Sequence, residues 1–217
     1  MRIDCDTHLD DAVAAATQAL RDGDLVVLPT DTVYGVAADA FDPSAVARLL
    51  AAKGRGREMP PPVLIADPVT LDALTAERPP SWLQSMLDDL WPGPLTVVFR
   101  SQPSLTWDLG ETHGTVAVRV PDDDRTRAVL RKAGPLAVSS ANLSGSPAAT
   151  TVDEAEAMLG DAVVVYLDGG PSRAAVPSTI LDVTGSVPRV LRAGGIDLST
   201  LHRFNNTIRP DAGDAGA

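Results

Sequence analysis

The chain is poor in the residues that build several common kinds of site. It has one cysteine, Cys5, and three histidines, His8, His113 and His202, far apart in sequence. That excludes a disulfide framework, leaves no spacing for a Cys/His zinc site and favours a reducing compartment. No GxxxxGK[ST] loop occurs and no GxGxxG follows a strand, so the familiar phosphate-cradling folds are disfavoured. There is no GxSxG elbow and no histidine beside the polar loops, so no Ser/His/Asp set can be drawn. Positive charge is scarce: 18 Lys and Arg stand against 29 Asp and Glu, a net −11. An extended nucleic-acid surface therefore has no global field behind it, although a local basic site stays open. No stretch approaches the ~20 apolar residues of a membrane span, and the acidic N-terminus lacks the apolar run of a leader. The expectation is a soluble, cytoplasmic protein.

With 217 residues and 44% hydrophobic content, a sizeable core in one domain is expected. Helical spacing marks 10–21, 42–54 (Asp42 as cap, Pro43 at the first position), 68–74, 81–90, 122–132, 151–159 and 197–204. Strand patterns mark 25–29, 62–66, 95–100, 115–120, 135–140 and 162–168, and 178–184 with 188–193 form a hairpin turning at Gly185 and Ser186. Alternation with a hairpin predicts an α/β domain on a twisted mixed sheet. The domain is expected over 1–204, with 205–217 a disordered tail.

Four stretches are too polar for the strand and helix ends they occupy: PTDTVYG (29–35), KGRGRE (53–58), VAVRVP (116–121) and SSANLSG (139–145). Ligands of α/β folds collect at strand ends, so one composite pocket is expected. Taken alone, PTDTVYG reads first as a turn, and a capped helix end accounts equally for KGRGRE. Yet Lys53, Arg55 and Arg57 form the densest basic cluster of an acidic chain, suited to a nucleotide phosphate. SSANLSG offers Ser139, Ser140, Asn142, Ser144 and free backbone N–H groups, the ingredients of an anion nest. Arg119 interrupts an apolar strand, and Arg192 lies in VLRAGG. Such residues neutralise charge and position reactants, as nucleotidyl transfer requires.

PTDTVYG, the helix ending in KGR, WPGPLTVVF (91–99), TVAVRVP, SSANLSG and STILDV, in this order, resemble the YrdC-like family of L-threonylcarbamoyladenylate synthases over residues 10–195. The resemblance implies a deep central cleft and the reaction of L-threonine, bicarbonate and ATP, with Mg2+, to threonylcarbamoyl-AMP and pyrophosphate. It implies a downstream threonylcarbamoyl transferase complex that modifies tRNA. It places Thr32, Tyr34, Arg119, Val138 and Ser178 at the threonine, and Lys53, Arg55, Thr115, Ser140, Ser144 and Arg192 at the nucleotide, with Lys53 and Arg55 stabilising the departing pyrophosphate. Metal ligands stay unassigned, Asp31 being the one carboxylate to consider. Gly56, Met59, Leu64, Ala148 and Ala149 depart from the commonest family pattern. The alternative reading is an RNA-binding or ribosome-associated module on the same fold, which the net charge opposes.

Overall fold

The computed structural model describes residues 1–210. The first half of the chain runs β1 (Arg2–Asp4), α1 (Leu9–Arg21), β2 (Val26–Leu28), β3 (Gly35–Asp39), α2 (Pro43–Ala52), β4 (Val63–Leu64), α3 (Leu71–Leu74), α4 (Ser81–Leu90) and β5 (Leu95–Arg100). The second half runs β6 (Thr115–Arg119), α5 (Asp124–Ala133), β7 (Leu136–Ser140), α6 (Val152–Leu159), β8 (Val165–Asp168), β9 (Thr179–Asp182), β10 (Arg189–Arg192) and α7 (Leu198–His202). Helix starts are chemically marked. The Asp42 carboxylate accepts from the amides of Ser44 and Ala45, Asp123 does the same for Arg125 and Thr126, and Thr151 with Glu154 closes a capping box on α6.

All strands join one mixed sheet in the order β1-β8-β2-β3-β7-β4-β6-β5-β9-β10. The central pairs β2/β3, β3/β7 and β7/β4 are antiparallel, β4/β6 is parallel, and the β9/β10 hairpin forms as its spacing predicts. Side chains alternate between two cores, as strand pleating requires. Val27, Val36 and Ala38 face α2 and α4, while Val26, Leu28 and Ala37 face α1 and α5. Cys5 is sealed in the second core, and burial pushes its thiol up to about 12. It is expected to resist an aromatic disulfide reagent in the native protein and to react at once in denaturant.

The passage from β8 to β9 crosses from the second to the ninth place in the sheet. On a flat sheet this is about 34 Å, and the steps from Asp168 to Thr179 reach about 40 Å only when fully extended. Positive φ at Gly170 and Ala175 shows that the passage is not fully extended. That leaves little slack, and residues of β3, fourth in the sheet, share one cavity with residues of β9 and β10 at its far edge, so the sheet curls and holds the site in the hollow.

Two strands escape the sequence patterns. β3 is one, since GVAAD has little branched or aromatic content; β1, three residues on the sheet edge, is the other. The expected tail also begins too early: Ile208 is buried, and the Val190 amide bonds the Arg209 carbonyl. The rest of that expectation, 211–217, lies outside the described residues.

Candidate active site

A cavity of about 710 Å³ opens on the hollow of the sheet, lined from β3, β4, β5, β6, β7, β9, β10 and the loops between them. The 29–35 stretch forms one wall. Thr30 Oγ1 donates to the Val33 carbonyl at 2.6 Å and lies 3.0 Å from Thr32 Oγ1, fixing a hydroxyl pair that is nearly inaccessible to solvent. Gly35 is required where the chain enters β3, because a Cβ there would stand 2.6 Å from Val138 Cγ1.

Arg119, at the end of β6, is 6% exposed. Its Nη1 donates to Thr32 Oγ1 at 2.9 Å, its Nε to the Gly93 carbonyl at 3.0 Å, and its Nη2 to the Asp31 carboxylate. Asp31 also accepts from the Asp122 amide at 3.0 Å. Burial pulls the Arg119 pKa down and Asp31 opposes it, so the pair is charge-balanced.

Two further arginines line the cavity at shallower depth. Arg55, half-buried, donates through Nη1 to Ser139 Oγ at 3.1 Å, while its buried Nε has no acceptor. Arg192, exposed at the rim, grips the Ser178 carbonyl at 2.7 and 3.1 Å, and Ser178 Oγ lies 2.8 Å from Thr96 Oγ1. Only the guanidinium end of Arg192 is partly desolvated against Ser178; that and then Arg55 pull its pKa down, so the two cations repel. Among the described residues no carboxylate lines the cavity. Asp31 is committed to Arg119, and among the described residues no three His, Cys, Asp or Glu side chains converge on a metal position.

Of the other sequence-derived residues, Thr32, Thr115, Val138, Ser140 and Ser178 line the cavity. Thr115 Oγ1 donates to the Thr112 carbonyl, and the Val138 amide to the Pro62 carbonyl. Tyr34 is also a lining residue, but its hydroxyl donates to Gly170 O at 2.6 Å and accepts from Gly169 N at 3.0 Å. Ser144 is exposed and lies outside the lining, its amide bonded to the Lys53 carbonyl. Lys53 does not line the cavity either. It is 1% exposed and turned toward Ser140 and Asn142, and burial, then Arg55, pull its ammonium down to about 8. Met59, Leu64 and Ala148 are lining residues among the positions that depart from the family pattern.

Sequence patterns did not single out Thr30, Thr96 or the Gly93 carbonyl. A hydroxyl at an inward position of the apolar strand LTVVFR was the available signal for Thr96.

Tyr34→Phe is expected to lower stability by about 1–3 kcal/mol, because it strands a carbonyl and an amide at the start of the β8–β9 passage. A denaturant titration reads this. Burial also pushes Tyr34 and Tyr166, the only tyrosines, up to about 12. The unfolded phenols ionise first, so stability falls as pH rises from 10 to 12, less steeply in the Phe variant.

A curled mixed sheet that holds three guanidiniums at graded depths in a cavity lined by no carboxylate among the described residues defines an α/β protein whose site has the charge to suit a small anion. Residues 18–194 match the Sua5_yciO_yrdC family model, described as "Telomere recombination", and the chain belongs to this family. It is 50% identical over 184 residues to the "Putative threonylcarbamoyl-AMP synthase" of Mycobacterium tuberculosis, covering 85% of this chain and 84% of the relative. The threonylcarbamoyl-AMP synthase of Bacillus subtilis is 35% identical over 94% of this chain and 59% of its own length. Among solved structures, Pyrococcus abyssi Sua5 complexed with L-threonine matches with a TM-score of 0.89 at 32% identity, over 97% of this chain and 62% of that one. This chain thus spans about three-fifths of the Pyrococcus protein. Escherichia coli YciO, at 22% identity and a TM-score of 0.81 over 98% of its length, shows the fold alone.

Proposed function

We propose that the chain is a threonylcarbamoyl-AMP synthase that joins L-threonine, bicarbonate and ATP and releases pyrophosphate. The observation that carries this is the graded set of arginines in one cavity, in a chain half identical to a relative bearing that name. Arg119 and Thr32, with Val138 and Ser178, form the threonine end, Arg119 facing the amino acid's carboxylate. Arg55, Ser140, Thr115 and Arg192 form the nucleotide end, where two mutually repelling cations await phosphate. Their confinement to a cavity favours a small anion over an extended RNA backbone.

Threonine's amine and bicarbonate first give a carbamate and water. A carbamate oxygen then attacks the α-phosphorus, the bond to the bridging oxygen breaks, and pyrophosphate leaves with the electron pair. Arg55 and Arg192 neutralise charge as it shifts onto the leaving group, and Thr32 and Arg119 hold the nucleophile in line. The lining is short of carboxylates, which fits Mg2+ arriving with the phosphates of ATP as part of the substrate. The mixed anhydride produced calls for an acceptor, and a transferase complex acting on tRNA is the partner we assign.

Pyrophosphate release by the purified protein, with ATP, Mg2+ and bicarbonate, tests this with L-threonine present, omitted or replaced by L-serine. Release is expected to require both threonine and bicarbonate. Release indifferent to threonine overturns the reading.

A further inference from the structure

We propose that Lys53 is a positioning residue, the pillar on which the 141–146 loop is built, and not a ligand of the nucleotide's phosphates. The proposal rests on the synthase reading and assigns one of its cations a different task. An ammonium has three N–H donors, and Lys53 Nζ has three acceptors: the Ser140 carbonyl, the Asn142 carbonyl at 2.6 Å and Asn142 Oδ1 at 3.3 Å. Nothing is left to face a phosphate.

The backbone of Lys53 serves the same loop, since its carbonyl accepts from the Ser144 amide at 2.9 Å. Asn142 completes the arrangement by donating through Nδ2 to the carbonyls of Leu143 and Ser146, at 2.9 and 2.7 Å. One side chain at the C-terminal end of α2 thereby fixes a loop some ninety residues away. That loop lines the cavity with Asn142 and Ser146 and continues from the end of β7, where Ser139, the partner of Arg55, and Ser140 line it too. The cation is fully buried, whereas Arg55, two residues on, is the one with a free donor. A charge held at that depth is costly, and the carbonyls of the loop compensate it.

Amide hydrogen exchange of residues 141–146 in the nucleotide-free protein tests the assignment, with calorimetric titration of AMP and ATP beside it. In Lys53→Met the loop amides are expected to exchange at least tenfold faster without ligand, those of β3 and β7 to stay protected, and AMP as well as ATP to bind at least tenfold more weakly. Lys53→Arg keeps the charge but replaces the compact ammonium with a planar fork, so it too is expected to loosen the loop and weaken AMP. This second variant decides the matter if Lys53→Met does not fold. Unchanged loop exchange with a loss confined to ATP, or a Lys53→Arg that behaves as wild type, overturns the proposal, as does a loosened loop that binds AMP normally. If the wild-type protein binds neither nucleotide, the synthase reading fails, while the exchange arm still reports whether Lys53 holds the loop.

Discussion

Arg119→Ala is expected to destabilise the protein by about 3–5 kcal/mol, because it leaves the Asp31 carboxylate buried without its counter-ion. The two side chains are 7% and 8% exposed, so water cannot replace the lost partner without opening the wall. The same change strands the Gly93 carbonyl and leaves the Thr32 hydroxyl with only its Thr30 partner. Combining Arg119→Met with Asp31→Asn removes both charges and is expected to recover most of the loss, since no lone ion remains. Threonine-dependent pyrophosphate release should not recover with it if Arg119 faces the substrate carboxylate. Urea titrations of the single and double variants read the first effect, and the pyrophosphate assay the second. A single variant within about 1 kcal/mol of wild type would show that the pair is not desolvated.

Arg55→Ala is expected to do the opposite: threonine-dependent turnover falls by about 10²–10³-fold while stability holds or rises. Its buried Nε has no acceptor, and its charge raises the cost of holding Arg192 beside it. Without ligand, removing it relieves more than it breaks. With ligand, on the proposed reading, it takes away the donor fork that faces the shifting phosphate charge. Arg55→Lys should restore little, because a point charge cannot bridge two oxygens while holding Ser139. Thermal melts beside initial rates decide. Wild-type turnover in Arg55→Ala would remove it from the site, and a large loss of stability would mean that its bond to Ser139 is structural.

The polar stretches that end strands were legible in the sequence, and five of the eleven sequence-derived residues, Thr32, Thr115, Val138, Ser140 and Ser178, join Tyr34 and the three arginines on one cavity. Residue type told where chemistry could lie, because an arginine in TVAVRV or a run of hydroxyls after an apolar strand has few other reasons to be there. Direction was not legible. Nothing local turns Lys53 inward to the loop and leaves Arg55 facing the cavity; the curl of the sheet and the path of residues 140–146 decide that. Likewise Asp31 and Arg119 are 88 residues apart and meet only through the parallel β4/β6 pair and the antiparallel strands beside it. β3 was hidden for a different reason. Its glycine is there because Val138 of β7 comes so close, and small residues are a weak sign of a strand.

The strand order also bears on the chain as it is being synthesised. β7 inserts between β3 and β4, and β8 between β1 and β2, so each early pair waits for a partner made much later. A growing chain that ends before residue 136 holds two strands, β3 and β4, with a gap between them and both cores uncovered on that line. Nor can β1 find a place until β8 emerges, because β8 is its neighbour. The molecule thus offers no stable half to fold first, and its cleft closes only when β9 and β10 have left the ribosome. Folding of this kind is slow and exposes unpaired strand edges while it waits.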